Sequence, residues 1–264
     1  MIVDTRALFV RLLRTLEIAT VCDVGSMDGT DALRFRRVLP RAAILALEPN
    51  PRNVALMRAD GRLARRSIRV LPFAASDRDA EAPLFVVDAD YAPGRDRFRR
   101  GMSSLHRRAD GARIVDVVTV RTVRLDALLR AESLMSGPIA LWIDTEGMAF
   151  EAIAGAAGIL GSTAMLHVEA ETQRCIGPEQ RLLDDVERLL GEAGFRLLAT
   201  DQPRRALQLN ALFLRADSLA AHEAEIRRLA ARARARRGVK RAIGGLLPRR
   251  LRHLVPGLIE TRVR

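Results

Sequence analysis

The chain has 264 residues, of which 48% are hydrophobic, 29% charged and 4% aromatic, a composition that fits a globular protein with one main domain and excludes a disordered or fibrous chain. Its two cysteines, Cys22 and Cys175, are too few for a disulfide framework or a cysteine-based zinc site, which favours a cytoplasmic location. The formal net charge of +12 lies entirely in residues 227–264, so the remainder lacks the basic character of a nucleic-acid-binding domain.

Residues 1–19 are predicted to form a short amphipathic helix. Charged residues, among them Asp4, Arg6 and Arg11, interrupt its apolar positions, which is not the pattern of a signal peptide or a membrane span. The predicted main domain follows at residues 20–215, and a basic helical extension is predicted at 216–264.

The first part of the main domain alternates strands with helices. Strands are predicted at residues 20–25, 43–47 and 68–75, and helices at 28–39 and 51–58. Such alternation produces right-handed βαβ units, so we expect a mostly parallel sheet.

An irregular excursion follows the third strand. Residues 84–88 and 115–123 have strand character, and between them lies a loop rich in glycine and arginine at 93–113. A plain βαβ unit would place a helix there. We therefore predict that this segment faces the substrate.

Regular alternation then resumes to the end of the domain. The predicted elements are a strand at 139–143, a helix at 149–156, a strand at 164–169, a helix at 178–193 and an antiparallel pair of strands at 195–200 and 206–214. The fold class is therefore predicted to be α/β, with a mostly parallel seven-stranded sheet and helices on both faces.

The extension beyond residue 215 begins with a predicted helix. Asp217 or Ser218 can cap this helix, which is predicted to run to about Arg237 and to stop at Gly238. Residues 239–258 interleave apolar and basic side chains, with prolines dividing them into short helices. This pattern suits peripheral binding to the anionic inner face of a membrane, and equally suits packing on the core or on a second subunit.

A glycine loop at residues 21–30 is the most informative segment. A buried strand leads into this loop, and a helix begins directly after it. Gly25 and Gly29 allow a ligand to approach the backbone closely. Asp23 and Asp28 flank the turn and would oppose a pyrophosphate. They suit S-adenosylmethionine, which carries an ammonium group and a sulfonium. The alternative is that the glycines mark only a tight turn.

Glu48 ends the second predicted strand, about 20 residues beyond the glycine loop. At that edge of the sheet its carboxylate is well placed to accept hydrogen bonds from ribose hydroxyls. The two segments together favour a cofactor of the nucleoside type.

Seven segments in the same order resemble the FkbM family of S-adenosylmethionine-dependent methyltransferases. They are residues 22–30, 47–51 (Leu-Glu-Pro-Asn-Pro), 74–77 (Ala-Ala-Ser-Asp), 102–105 (Met-Ser-Ser-Leu), 123–129, 143–147 (Ile-Asp-Thr-Glu-Gly) and 168–169 (Val-Glu). The resemblance implies a Rossmann-like methyltransferase fold, S-adenosyl-L-methionine as cofactor, and methylation of hydroxyl oxygens in glycans or secondary metabolites. It also implies a set of cofactor-binding residues: Asp23, Gly25, Ser26, Asp28, Gly29, Glu48, Pro49, Asn50, Ser76 and Asp77.

Two positions depart from the family pattern. Trp142 stands where the family commonly has lysine, and Ala149 where it often has an acid. These changes indicate altered substrate electrostatics or reduced activity. A cofactor-binding module that has lost catalysis and acts through partners is therefore the alternative function. A nucleic-acid methyltransferase is supported only by the basic tail and is disfavoured by the neutral core.

Three residues are candidates for removing the acceptor's proton. Asp144 and Glu146 follow the fourth strand of the main sheet, and two nearby carboxylates can raise one pKa into the range of a general base. Glu146 could instead cap the next helix. His106 is a rival base, or else a solvated loop histidine. Glu169 could join Asp144 and Glu146 around a divalent cation.

Overall fold

The structure is a computed structural model that describes residues 1–87 and 100–246. The strands in these ranges are β1 (Thr20–Val24), β2 (Ala43–Leu47), β3 (Arg69–Leu71), β4 (Phe73–Ala75), β5 (Ala80–Val87), β6 (Ile114–Val123), β7 (Ile139–Ile143), β8 (Thr163–Glu171), β9 (Phe195–Thr200) and β10 (Gln208–Arg215). The helices are α1 (Thr5–Thr15), α2 (Thr30–Val38), α3 (Pro51–Ala59), α4 (Gly61–Arg65), α5 (Leu125–Ala131), α6 (Ala149–Ala154), α7 (Leu183–Glu192), α8 (Ala216–Ala221) and α9 (Glu223–Leu246), with a 3-10 turn at Ala157–Ser162.

The main sheet has seven strands in the order β3-β2-β1-β7-β8-β10-β9. Neighbours from β3 to β8 are parallel, whereas β10 is antiparallel to both β8 and β9. Six of the seven predicted strands lie within two residues of their observed ends. The prediction of a mostly parallel, Rossmann-like seven-stranded sheet is confirmed.

The third predicted strand, at residues 68–75, is wrong as a single element. β3 pairs with β2 in the main sheet, whereas β4 pairs with β6 in a second sheet of order β4-β6-β5. Pro72 separates them, and proline interrupts a ladder because it has no backbone N–H to donate. The predicted excursion is therefore a small sheet, in which the strand expected at 84–88 begins earlier, at Ala80. Residue 88 and the first part of the predicted 93–113 loop lie outside the described residues.

Several helix predictions need correction. α5 was not predicted, although Leu125, Leu128 and Leu129 have helical spacing and are buried. The helix expected at 178–193 begins only at Leu183, because the Gln180 side chain accepts hydrogen bonds from the backbone N–H groups of residues 175 and 176 and so holds the preceding segment as a loop.

The predicted C-terminal helix is divided into α8 and α9. In α9, Glu223 and Arg227 are one turn apart and form an ion pair at 2.6 Å. Gly238 does not end α9, because one glycine in a helix interior costs only about 1 kcal/mol. Within the described ranges, no helix has both the length and the apolar character to cross a membrane. The last part of the predicted extension, from residue 247, lies outside those ranges.

Helices cover both faces of the main sheet. On one face, α1 buries Leu8, Phe9, Leu12 and Leu13 in a cluster shared with α2 and α9, and on the other face α5, α6 and α7 form a second cluster. The predicted N-terminal amphipathic helix is thus confirmed as α1. Trp142 belongs to the first cluster, where its ring stacks on His167 with centroids 3.7 Å apart.

Candidate active site

A cleft opens at the carboxyl ends of β1, β2 and β7, where parallel α/β sheets bind ligands. It is lined by Val24, Gly25, Glu48, Pro49, Phe73, Ala74, Ala75, Leu84, Arg100, Gly101, Ser103, Ser104, Leu105, Asp144, Thr145, Glu146 and Met148. Five predicted site residues therefore meet here: Gly25, Glu48, Pro49, Asp144 and Glu146. Residues of the small sheet and of the 100–105 segment also line the cleft.

Gly25 occupies a position that no larger residue can take without displacement of the backbone. Its φ is +81°, and a Cβ atom there would lie 1.8 Å from the backbone oxygen of Asp144. The Asp144 N–H in turn donates to the Val24 oxygen at 2.9 Å. The glycine is therefore needed because the loops after β1 and β7 touch, a reason that the sequence does not reveal.

Asp23 and Asp28 hold the glycine loop in place. The Asp23 carboxylate accepts hydrogen bonds from the Ser26 hydroxyl at 2.6 Å and the Ala32 N–H at 3.1 Å, and burial raises its pKa to about 7. Asp28 accepts from the Thr30 N–H at 3.0 Å. Asp23, Ser26 and Asp28 lie outside the cleft lining. The same is true of Gly29, whose added Cβ would lie 2.7 Å from Leu63.

Glu48 joins the glycine loop to the start of α3. Its carboxylate accepts hydrogen bonds from the backbone N–H groups of Met27 and Asn50, both at 2.8 Å, and from the Asn53 amide at 3.3 Å. The side chain is buried, and burial raises the pKa of Glu48 to about 7 despite these donors. The donors orient the carboxylate at the edge of the cleft.

The first turn of α3 also holds the 100–116 segment over the cleft. Asn50 caps the helix by accepting from the Arg52 N–H at 3.0 Å, and the Asn53 amide donates to the Arg100 backbone oxygen at 3.0 Å. Arg52 pairs with Asp116 at 3.1 Å. Asn53 is not identified from the sequence, although its position only five residues after Glu48 could have indicated a contact between the two side chains.

Ser76 and Asp77 directly follow β4, whose residues line the cleft. Ser76 is buried, and its N–H donates to the Val123 oxygen at 3.0 Å. Asp77 pairs with Arg78 at 2.9 Å, and this contact lowers the pKa of the Asp77 carboxyl. Both side chains lie outside the cleft lining.

Asp144 and Glu146 are both partly buried carboxyl groups that directly follow β7. Burial raises the pKa of Asp144, although hydrogen bonding to Glu169 opposes the shift. Burial also raises the pKa of Glu146 to about 7, against the opposing pull of Arg108, whose Nη1 lies 2.8 Å from Glu146 Oε2. The alternative role of Glu146 as a helix cap is wrong, since α6 has no side-chain cap hydrogen bond.

Arg108 is a site residue that the sequence does not single out among many arginines. Its side chain is only 5% exposed, and besides Glu146 it binds the Met102 backbone oxygen at 2.8 Å and the Asp110 carboxylate. It therefore ties the 102–110 segment to the loop that follows β7.

His106 is half-buried and lies outside the cleft lining. Its ring fits against Gly147 and Gly177, where an added Cβ would come within 3.3 Å and 2.9 Å of it. Burial lowers the pKa of His106, which favours the neutral imidazole. The alternative of a solvated loop histidine is wrong, because these two glycines make room for the ring.

The two departures from the family pattern also lie outside the cleft. Trp142 packs against Phe9, Phe35 and His167 on the α1 face of the sheet, and Ala149 is buried at the start of α6. Within residues 1–87 and 100–246, no group of three or more His, Cys, Asp or Glu side chains is arranged to hold a metal ion.

Comparisons with known proteins give one family match and several distant structural likenesses. A model of the methyltransferase FkbM domain matches residues 23–197. The 2-O-methyltransferase NoeI of Sinorhizobium fredii (strain NBRC 101917 / NGR234) is 30% identical over 162 residues, which cover 58% of this chain and 63% of NoeI, so the match spans less than two thirds of that relative.

Two solved structures show the extent of the structural likeness. Methyltransferase FkbM from Methylobacillus flagellatus KT has a TM-score of 0.43 and 15% identity, covering 74% of this chain and 44% of that one. Magnesium protoporphyrin IX methyltransferase from Synechocystis PCC 6803, with bound SAM, has a TM-score of 0.42 and 11% identity, covering 81% and 77%.

Proposed function

The chain belongs to the FkbM methyltransferase family, and we propose that it transfers the methyl group of S-adenosylmethionine to a hydroxyl oxygen of a glycan or a secondary metabolite. One observation carries this proposal. Gly25, Glu48 and Asp144, from three separate motifs, line the same cleft. The likeness to a 2-O-methyltransferase supports oxygen as the methyl acceptor.

The residues of the cleft fit this cofactor. Glu48 is buried and held by its donors, and Oε2, which accepts from Met27, retains a lone pair that can accept from a ribose hydroxyl. Asp144 lies close enough to Glu48 for its charge to raise the pKa of Glu48, so the cleft has negative potential, which suits a sulfonium. When bound, S-adenosylmethionine supplies an electrophilic methyl group.

Asp144 is the proposed general base. It removes the proton of the acceptor hydroxyl while that oxygen bonds to the methyl carbon. Burial raises the pKa of Asp144 above its ordinary value, which makes the carboxylate a stronger base. Glu146 is committed to an ion pair with Arg108, so its role is to hold the 102–110 segment at the acceptor side. Orientation of the two reactants can supply a further ~7–11 kcal/mol of the barrier.

The alternative of a cofactor-binding module without catalysis is not supported by the positions of the two residues that suggested it. It arose from Trp142 and Ala149, and both residues lie outside the cleft, in apolar packing.

A transfer assay combined with a binding titration tests the proposal. The chain is incubated with methyl-labelled S-adenosylmethionine and hydroxylated acceptors, including oligosaccharides, and the label is followed by mass spectrometry, while S-adenosylhomocysteine binding is measured by calorimetry. We expect binding together with acceptor-dependent transfer to oxygen. Binding without transfer to any acceptor would contradict the enzyme assignment, and transfer to nitrogen or carbon would contradict the acceptor class.

A further inference from the structure

Two more carboxyl groups lie behind Asp144, at the end of β8. Glu169 forms a hydrogen bond with Asp144, and the Gln208 amide of β10 donates to Glu169 and also, at 3.2 Å, to Glu171. Glu171 is further bound by the Gln180 amide at 2.6 Å. The network thus runs from the cleft through Asp144 and Glu169 into the protein.

A hydrogen bond between two carboxyl groups requires that one of them carries a proton. Burial raises the pKa of Glu169 well above its ordinary value, and the neighbouring carboxyl groups of Asp144, Glu146 and Glu171 raise it further, whereas Arg6 lowers the pKa of Asp144. Because Glu169 lies among three other carboxyl groups, the shared proton is placed on Glu169 and the negative charge on Asp144. The charged or titratable groups that face this pair are Arg6, Asp23, Glu48, Arg108, Glu146 and Glu171.

Gln208 determines which oxygen of Glu169 can hold that proton. Its Nε2 donates to Glu169 Oε1, so the other carboxyl oxygen is left to carry the proton toward Asp144. Glu171 instead accepts from two amides, those of Gln180 and Gln208. The two glutamates of β8 therefore differ in role although they lie two residues apart on the same face of the strand.

We infer that Glu169 is a positioning residue whose protonated carboxyl donates a hydrogen bond to Asp144 and orients Asp144 toward the acceptor hydroxyl. This inference rests on the proposed function. In the transfer step the hydroxyl oxygen bonds to the methyl carbon, and the carbon–sulfur bond breaks with its electron pair remaining on sulfur. The hydroxyl proton moves to Asp144, and the proton of Glu169 stays in place.

The first test needs no turnover. Carboxyl protonation is measured by infrared spectroscopy or carboxyl-labelled NMR at a pH well above 7, where groups with pKa values of about 7 are ionised. We expect one buried protonated carboxyl in the wild-type chain and in the matched control Glu171→Gln, and its loss in Glu169→Gln. A wild-type chain without that proton, or a Glu169→Gln variant that keeps it, overturns the inference.

The second test compares two substitutions in the transfer reaction. Glu169→Gln can still donate an N–H to Asp144, whereas Glu169→Leu cannot. We expect Glu169→Leu to lose at least ~10-fold in kcat, with the acid limb of its pH profile moved to higher pH because Asp144 has lost a donor. Glu169→Gln should retain more activity, and both should keep their affinity for S-adenosylhomocysteine.

The outcomes separate the two proposals. If the wild-type enzyme is active but Glu169→Leu and Glu169→Gln share one pH profile, the proposed role of Glu169 is contradicted. The methyltransferase assignment is then unaffected. A wild-type chain that transfers no methyl group contradicts the proposed function, while the retained proton of the first test would still support the Asp144–Glu169 hydrogen bond.

Discussion

The two carboxylates of the cleft are held in different ways. Glu48, at the end of β2, accepts from two backbone N–H groups, those of Met27 and Asn50. Asp144, at the end of β7, has the Glu169 side chain as its partner. Every residue except proline supplies a backbone N–H, so the contacts of Glu48 depend only on the path of the chain. Side-chain partners require a particular residue at a distant position, so the acceptor side depends more on tertiary structure.

The largest effect is expected from a substitution that changes only the proposed acceptor side of the cleft. Asp144→Asn keeps the size of the side chain but removes the proposed base, so we expect kcat to fall by ~10²–10⁴-fold while S-adenosylhomocysteine binds normally. Single-turnover transfer and calorimetry measure the two effects. Asp60→Asn is the control, because Asp60 caps α4 outside the cleft lining and an Asn oxygen can still accept from the Arg62 N–H. Wild-type rates in Asp144→Asn would move the base to another residue.

Gly25→Ala should disturb both the loop after β1, on the proposed cofactor side of the cleft, and the loop after β7, on the proposed acceptor side. The new Cβ would collide with the Asp144 backbone oxygen, and a positive φ in a non-glycine residue costs on the order of 1–3 kcal/mol. We expect a loss of at least ~2 kcal/mol in the free energy of unfolding, together with weaker cofactor binding. Denaturant titration measures the first quantity and calorimetry the second.

The matched control variant is expected to change the free energy of unfolding in the opposite direction. Gly191 lies in α7 with open space around its Cβ position, so Gly191→Ala should stabilise the fold by about 0.5–1 kcal/mol. Equal stability changes in the two variants would show that the contact between the β1 and β7 loops is not tight.

Glu48→Gln tests the cofactor side alone. Removing the charged acceptor should weaken S-adenosylhomocysteine binding by about 1.5–3 kcal/mol. Met27 donates to Oε2 and Asn50 to Oε1, so the amide oxygen of Gln can accept from only one of them, and we expect a retained but slightly less stable fold. Calorimetry and thermal unfolding check both statements. Unchanged affinity would remove Glu48 from the site.

The pH dependence of binding sharpens the same comparison. Since burial raises the pKa of Glu48 to about 7, and ribose hydroxyls donate to the ionised form, binding releases a proton below that pH. Affinity should therefore rise as pH increases toward about 7 and level off above it. The Glu48→Gln variant should show a flatter profile, and a steep profile in that variant would assign the proton to another group.

The smallest effect is expected at Asp77. Its carboxylate is partly exposed and engaged with Arg78, so Asp77→Asn should weaken cofactor binding by only about 0.5–1.5 kcal/mol. Arg78→Ala should leave affinity unchanged, because the Arg78 side chain is mostly exposed and surface ion pairs contribute little. A loss as large as that of Glu48→Gln would place Asp77 in direct contact with the cofactor.

Much of the main sheet was predictable from the sequence. The strands at 43–47, 139–143 and 195–200 have their predicted bounds, because short apolar runs between helices are a strong local signal. The split at Pro72 was not predicted, although the proline is visible, because only the partners of β3 and β4 show that the two halves belong to different sheets.

The sequence by itself determined the family resemblance, the alternation of strands and helices, and the motif residues that meet in the cleft, since each of these depends on residues close together in the chain. Only the tertiary structure decided the partners of the carboxyl groups that follow β7. Arg108 and Glu146 are 38 residues apart, and Glu169 contacts Asp144 from a neighbouring strand. Such contacts have no periodicity or fixed spacing, because they form only when the sheet brings distant strand ends together and burial makes each unpaired charge costly.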